Sequence, residues 1–348
     1  MQKGRVFIIT FILVVLCLVL YLFKDFLLVI TIGSLLAVAT SNVNVKFLRL
    51  LKGRKVLAAL CSTALLVLFL IAPFAYAVAE LAAAVKGFDK ATLVATFTTL
   101  KNYEFDFLPE SLAFLKPKIL EALSEVDLNT LVKQILGYMG DFTKSSVKII
   151  ADVSLICIFY FFANLYGTEL VIYLKSVIPI QKEEIDDILR EVSNVMAVVL
   201  YSTVCMALLQ GALFALIASL FGYNGVLWGI LLAISSLIPV VGGALAYVPL
   251  SVYDFATSGL YSALWIFAYS VIVISLVADT FVKPFIIKWI NEKLVTTPTN
   301  INELLIFLAM LAGISTFGFW GLILGPAILT FFISTLKMYV ILKEKNLL

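Results

Sequence analysis

Ionisable side chains inside long apolar runs are the first candidates for chemistry, because a charge at membrane depth is costly and marks a functional site by default. Asp279 is the foremost. It stands near the end of an apolar run with Lys283 four residues on, the spacing that places two side chains on one helix face, and Pro284 just beyond is expected to end the helix. Two readings are open: a coupling site for a proton or sodium ion, or a structural pair at the membrane interface. Asp152, about one turn into another run, is the second carboxylate candidate, with a headgroup-facing position as its alternative. Gln210 beside Gly211, deep in a third run, can hydrogen-bond a polar ligand or bridge two helices. Ser235 with Ser236, and Ser315 with Thr316, could present hydroxyls to a solute beside two Pro/Gly interruptions.

Other chemistries are excluded by what the chain lacks. It holds no histidine, so imidazole proton relays and histidine metal sites are absent, and any proton step must use carboxylates. There is no Walker A pattern, no HExxH and no Ser/His pair, which removes ATP hydrolysis and the common hydrolytic sites. Asp152 and Asp279 make a poor aspartyl-protease pair. The four cysteines, Cys17, Cys61, Cys157 and Cys205, sit in apolar stretches at wide spacings and read as packing residues. No metal, cofactor or enzymatic activity is expected. The net charge of +3 is too small to suggest nucleic-acid binding.

The elements that must carry these residues follow from composition. With 63% hydrophobic and 14% charged residues and a mean hydropathy of +1.11, the chain has more apolar surface than water can face, and the lipid bilayer is the expected outer solvent. A span needs about 20 apolar residues, since a helix rises 1.5 Å per residue through about 30 Å of hydrocarbon. Runs at 6–23, 26–41, 56–80, 147–166, 192–221 and 260–281 read as full spans, the first two joined as a tight hairpin at Lys24 and Asp25. The first run reads as an uncleaved helix rather than a signal peptide.

Two further runs are interrupted. The first, within 225–258, reads GVLWGILLAISSLIPVVGGALAYVPLSVY, with Pro239, Gly242 and Gly243 near its middle. The second, within 303–336, holds Gly313, Gly318, Gly321, Gly325 and Pro326. Pro removes a backbone donor and Gly lowers helix propensity, so polar backbone groups are freed at membrane depth, where they survive only inside protein or beside an aqueous cavity. Paired interrupted segments mark binding sites in secondary transporters. Re-entrant hairpins are the favoured geometry; the alternative is eight spans, two of them kinked and packed through Gly225/Gly229 and Gly321/Gly325 at GxxxG spacing.

Orientation follows the basic residues. Lys46, Arg49, Lys52, Arg54 and Lys55 after the second run should be cytoplasmic, as should Lys3, Arg5, Lys337, Lys343 and Lys345, which puts both termini inside. The charge-balanced insertion 81–146 should lie outside, with amphipathic helices such as 117–135. The loop 167–191 reads as an amphipathic cytoplasmic helix leading into the next span. The division expected is a scaffold of transmembrane helices at 1–80, the extracytoplasmic insertion at 81–146 and a transport region at 147–348.

At the interruptions the chain resembles the autoinducer-2 exporter (AI-2E) family of bacterial membrane proteins, also described as permeases. The likeness rests on LIPVVGGALAYVP at 237–249, DTFVKPFIIKW at 279–289 and GFWGLILGPAI at 318–328, in that order, and it covers nearly the whole length. The matching positions are Pro239, Gly242, Pro249, Asp279, Pro284, Gly321 and Pro326. The resemblance implies export of a small polar signal or metabolite in some members and sodium/proton exchange in others. The expectation is therefore an all-α inner-membrane secondary transporter in which two hairpins surround a polar site. Its candidate ligands are Ser235, Ser236, Pro239, Gly242, Gly243, Asp279, Ser315, Thr316, Gly321, Pro326 and Gln210. Its partners would be lipid, a small solute or a coupling H+ or Na+, and further copies of itself as a homo-oligomer. The competing readings are a cation/proton antiporter with Asp279 as coupling carboxylate, and a non-transporting scaffold or passive pore.

Overall fold

The structure is a computed structural model that describes residues 2–86, 98, 117, 121, 128–177, 182–238, 242–293 and 303–344. Among these residues the chain is helical and contains no strand. The elements are α1 (Gln2–Leu22), α2 (Leu27–Ala39), α3 (Ser41–Leu50), α4 (Lys55–Leu66), α5 (Ala72–Lys86), α6 (Leu128–Val177), α7 (Lys182–Leu220), α8 (Gly225–Ser235), α9 (Ala244–Ser258), α10 (Leu260–Tyr269), α11 (Lys283–Lys293), α12 (Glu303–Phe317) and α13 (Gly321–Glu344). A π-helical turn, Val67–Ile71, joins α4 to α5, and a longer π-helical stretch, Ser270–Val282, joins α10 to α11.

Among the described residues, five helical runs have the length and apolarity to cross a membrane, Lys55–Glu80, Lys148–Tyr173, Leu189–Leu220, Leu260–Lys293 and Leu304–Lys337, the last of which turns back on itself at Gly318–Trp320. A sixth arises if α1 and α2 form one bent span, for they meet at 97°. The tight hairpin expected at Lys24 and Asp25 is thus a right-angled turn. With 13 residues α2 is about 20 Å long, short of the hydrocarbon thickness on its own. Apolar side chains such as Phe7, Phe11, Leu18 and Leu22 stay exposed along α1, as a lipid-facing surface requires. The insertion 81–146 falls mostly outside the described residues; its C-terminal part, from Leu128, is the start of the 50-residue α6. The acidic segment at 182–190 is the first part of the continuous α7, not a separate helix.

The helices sort into two compact units that interleave along the chain: residues 1–67, 151–197 and 297–348, and residues 68–150 and 198–296. Each interrupted segment belongs to a different unit.

In the first unit α2 lies tightly against α6, because Gly33 lets two backbones approach: a Cβ there would stand 2.9 Å from Phe159 Cβ and 3.0 Å from the Ile156 carbonyl oxygen. Ile32, Leu36, Ile156 and Tyr160 are buried at that contact, and the Tyr160 hydroxyl shares a 2.7 Å hydrogen bond with Thr40 Oγ1. Lys55 pairs with Glu169 at 2.9 Å, Asn44 donates to the Asn164 carbonyl at 3.4 Å, and Lys337 pairs with Glu191 at 2.5 Å. These contacts gather the basic segment after α2, the 167–191 region and the end of α13 on one side of the unit.

The second unit is built around Phe214, Ile217, Ala218, Leu232, Ala246, Leu250, Ile266 and Ile274. Gly229 and Gly211 face each other there, each Cβ position 2.6 Å from the other's carbonyl oxygen, so α7 and α8 touch backbone to backbone. The GxxxG reading of Gly225 and Gly229 therefore describes a helix contact, while the same segment also folds back on itself.

Candidate functional site

Both interrupted segments are hairpins. The first consists of α8, 11 residues, and α9, 15 residues, or about 16 and 22 Å of helix, each too short to cross the hydrocarbon. Its two ends meet: Tyr223 before α8 donates a 2.6 Å hydrogen bond to Asp254 Oδ1 near the end of α9, and the Tyr223 and Tyr253 rings pack edge-on at 6.2 Å. A straight span could not bring residues 223 and 254 together. At the tip, a Cβ on Gly242 would collide with the Ser235 carbonyl oxygen, so the returning chain presses on the end of α8. Freed backbone groups are partly taken up by turns, with Ile238 N–H donating to Ser235 O at 2.9 Å and Gly242 N–H to Ile238 O at 3.0 Å. Pro239 lies outside the described residues.

The tip stands beside the π-helical stretch. From the Cβ position of half-buried Gly243, Ser275 Oγ is 3.9 Å away, and Asp279 follows Ser275 by four residues. Buried Gln210 of α7 reaches the same stretch, its Nε2 donating to Asp279 Oδ1 at 3.2 Å and to the Ile274 carbonyl at 3.3 Å. Runs of π-helix are rare and recur at functional sites, since the i→i+5 pattern widens the helix and re-aims side chains. Asp279 forms no ion pair with Lys283 among the described residues; its polar partner is Gln210. The expected helix end at Pro284 is also corrected: the helix runs on to Lys293. The proline is the second residue of α11, with Lys283 alone between it and the π-helical stretch, whose wider register relieves the ring clash and the missing donor.

The other predicted site residues are placed less suggestively. Ser235 and Ser236 are half-buried and donate back to the Leu232 and Ala233 carbonyls at 3.1 and 2.9 Å. In the second hairpin, α12 and α13 run antiparallel around the tight turn Gly318–Trp320. Cβ atoms on Gly313, Gly321 and Gly325 would collide with the Gly321, Gly313 and Ala309 carbonyls respectively, so the arms touch along their backbones. Gly321 and Pro326 are buried there, while Ser315 and Thr316 are exposed, Thr316 donating to Ala312 O at 2.9 Å. Asp152 is half-buried on α6.

Sequence reasoning overlooked Tyr223, Asp254 and Glu191. Asp254 carried a readable signal, for it follows Ala246 and Leu250 at intervals of four, a carboxylate on the core-facing stripe of a helix. Glu191, which accepts from Ser334 Oγ at 2.9 Å as well as pairing with Lys337, carried none.

Long apolar helices, two folded-back hairpins and a polar cluster at the tip of one of them define a multi-pass membrane protein with transporter architecture. The pattern of the AI-2E family transporter matches residues 10–341, and the chain belongs to that family. It is similar to a Helicobacter pylori (strain J99) protein named "Putative transport protein", 32% identical over 322 residues, covering 92% of this chain and 91% of that one. An Aquifex aeolicus (strain VF5) protein of the same name is 27% identical over 245 residues, 68% of this chain and 67% of the relative. A Methanothermobacter thermautotrophicus relative, again so named, is 29% identical over 140 residues, 38% of this chain and 42% of its own length.

Proposed function

We propose that this member of the family is a secondary transporter that exports a small polar solute or signalling molecule, such as autoinducer-2, across the bacterial cytoplasmic membrane. The reading rests on one observation above others: at the tip of the α8–α9 hairpin the Cβ position of Gly243 stands 3.9 Å from Ser275 Oγ on the π-helical stretch that also carries Asp279, which Gln210 holds from a neighbouring helix. A broken hairpin beside an intramembrane carboxylate is the arrangement by which transporters bind polar cargo at depth, with freed carbonyls and hydroxyls replacing water. Gln210, Ser235, Ser236, Gly242, Gly243 and Asp279 would line the solute path within their own unit, while Ser315, Thr316, Gly321 and Pro326 remain candidates on the second hairpin, in the other unit. Asp152 is the remaining carboxylate candidate. Both termini would be cytoplasmic, a placement that the Lys337–Glu191 and Lys55–Glu169 pairs favour for the C-terminal end, since they gather the end of α13 and the basic segment after α2 on one side of their unit. The division into scaffold, insertion and transport region, and self-assembly into a homo-oligomer through the first helices, belong to the same proposal.

Proteoliposomes loaded with labelled autoinducer-2 test it. Saturable, gradient-driven movement without ATP is expected, and Asp279→Asn should lower it about tenfold or more, as loss of a positioned charge does. Linear equilibration would mean a passive pore, and no movement of any solute or ion a scaffold. The second reading, a sodium/proton antiporter, is favoured by the Gln210–Asp279 hydrogen bond, which fixes one carboxylate oxygen for ion exchange. Sodium-dependent proton flux in the same vesicles, abolished in Asp279→Asn, would select it.

A further inference from the structure

Asp254 lies apart from the Asp279 cluster, at the base of the α8–α9 hairpin rather than at its tip. It is 0% exposed, and only one of its carboxylate oxygens is satisfied. Oδ1 accepts the Tyr223 hydroxyl at 2.6 Å, whereas Oδ2 meets no hydrogen-bond donor. Three residues earlier, one helical turn away on the same face, Ser251 Oγ is also buried and without a partner. No basic side chain among the described residues pairs with Asp254; its titratable neighbour is Tyr223, whose ring packs on Tyr253. Further along the same stripe, Leu250 and Ala246 belong to the apolar core.

A buried carboxylate oxygen that faces no donor leaves its lone pairs uncompensated, and a bound cation, H+ or a metal ion, completes it. A single carboxylate with one hydroxyl a helical turn away matches a monovalent charge. Divalent ions favour several acidic ligands, and among the described residues no group of three or more His, Cys, Asp or Glu side chains is placed to hold a metal. We propose that Asp254 Oδ2 and Ser251 Oγ form an exchangeable monovalent-cation site, taking a proton or a sodium ion, at the base of the α8–α9 hairpin. The Tyr223 hydrogen bond holds the carboxylate while leaving Oδ2 free. Because Tyr223 and Asp254 join the two ends of the hairpin, occupancy at Asp254 is linked to how firmly those ends are held. The binding site stands on geometry; its role in coupling rests on the transporter reading above.

Infrared difference spectroscopy of the purified full chain in detergent tests the site without requiring transport. Subtracting Asp254→Asn from wild type should isolate a carboxylic-acid C=O band that Asp279→Asn retains, and raising pH or adding sodium chloride should diminish it. A response to sodium and to pH indicates ion exchange, a response to pH alone a proton site, and both support the assignment. A difference spectrum with no band responding to either overturns it. Should Asp254→Asn fail to fold, Ser251→Ala carries the test, with a roughly tenfold weaker cation response expected; an unchanged response refutes the site. Flux is scored separately in proteoliposomes. A wild type that shows the band but moves nothing removes the transport reading and leaves the site. Undiminished flux in a folded Asp254→Asn removes the coupling role of Asp254 and leaves transport, and a responsive band that persists unchanged in Asp254→Asn removes the site.

Discussion

The two hairpins start from one sequence signature, an apolar run broken by glycine and proline, and end with different interiors. In α12–α13 the glycines bring backbones together: Gly313, Gly321 and Gly325 occupy places where any side chain would strike a carbonyl, and the nearby hydroxyls of Ser315 and Thr316 are left on the exposed side. In α8–α9 the arms are tied by polar groups at the base, Tyr223 with Asp254, and the tip stands against Ser275 of the π-helical stretch that carries Asp279. Glycine in a membrane helix thus has two distinct uses, to let helices touch or to let the chain turn, and only the second frees polar backbone groups from the helix. Close packing takes the place of a hydrophobic drive that lipid cannot supply, which makes the α12–α13 contact a matter of shape. The α8–α9 base depends instead on a hydrogen bond to a buried carboxylate.

That contrast can be broken at several points. Gly321→Ala should have the largest effect, about 3 kcal/mol or loss of folded protein, because the methyl group meets backbone that cannot rotate away; thermal melting in detergent measures it, and a melting point equal to wild type would contradict the backbone contact. Next is Tyr223→Phe, expected to cost about 2 kcal/mol by leaving a buried carboxylate short of a donor, without altering the α12–α13 arms. Protease cleavage near residue 223 should accelerate in that variant, and an unchanged rate would show that the hairpin ends are held by packing alone. Smallest should be Gly243→Ala, within about 1 kcal/mol and of either sign, since its Cβ would find ordinary contact distances, 3.5 Å to Tyr247 and 3.9 Å to Ser275. Its neighbour Gly242→Ala would collide with Ser235 O, so equal outcomes at the two adjacent glycines would refute the tip geometry.

Much of this was legible beforehand in particular residues. The interruptions at Gly242–Gly243 and Gly318–Gly321 were readable because each removes helix propensity inside an otherwise apolar run, and both became hairpin turns. The chemistry at Asp279 was readable as an intramembrane carboxylate, but its partner was not. Spacing pointed to Lys283, which does lie near enough for its charge to act on Asp279, whereas the hydrogen-bond donor is Gln210, 69 residues away and beyond the reach of any local pattern. Asp254 lies within the interrupted segment at 225–258 but was passed over, because attention fell on the break at Pro239, Gly242 and Gly243 rather than on the core-facing stripe of Ala246, Leu250 and Asp254.

Composition, hydropathy and the positions of glycine and proline determined by themselves that this chain is a bundle of membrane helices with two breaks, since those are local properties summed along the chain and the bilayer admits few alternatives. Which polar groups meet was decided only by tertiary structure. A hydrogen bond such as Tyr223–Asp254 or Gln210–Asp279 depends on how helices distant in sequence pack and in what register, and no local pattern encodes that.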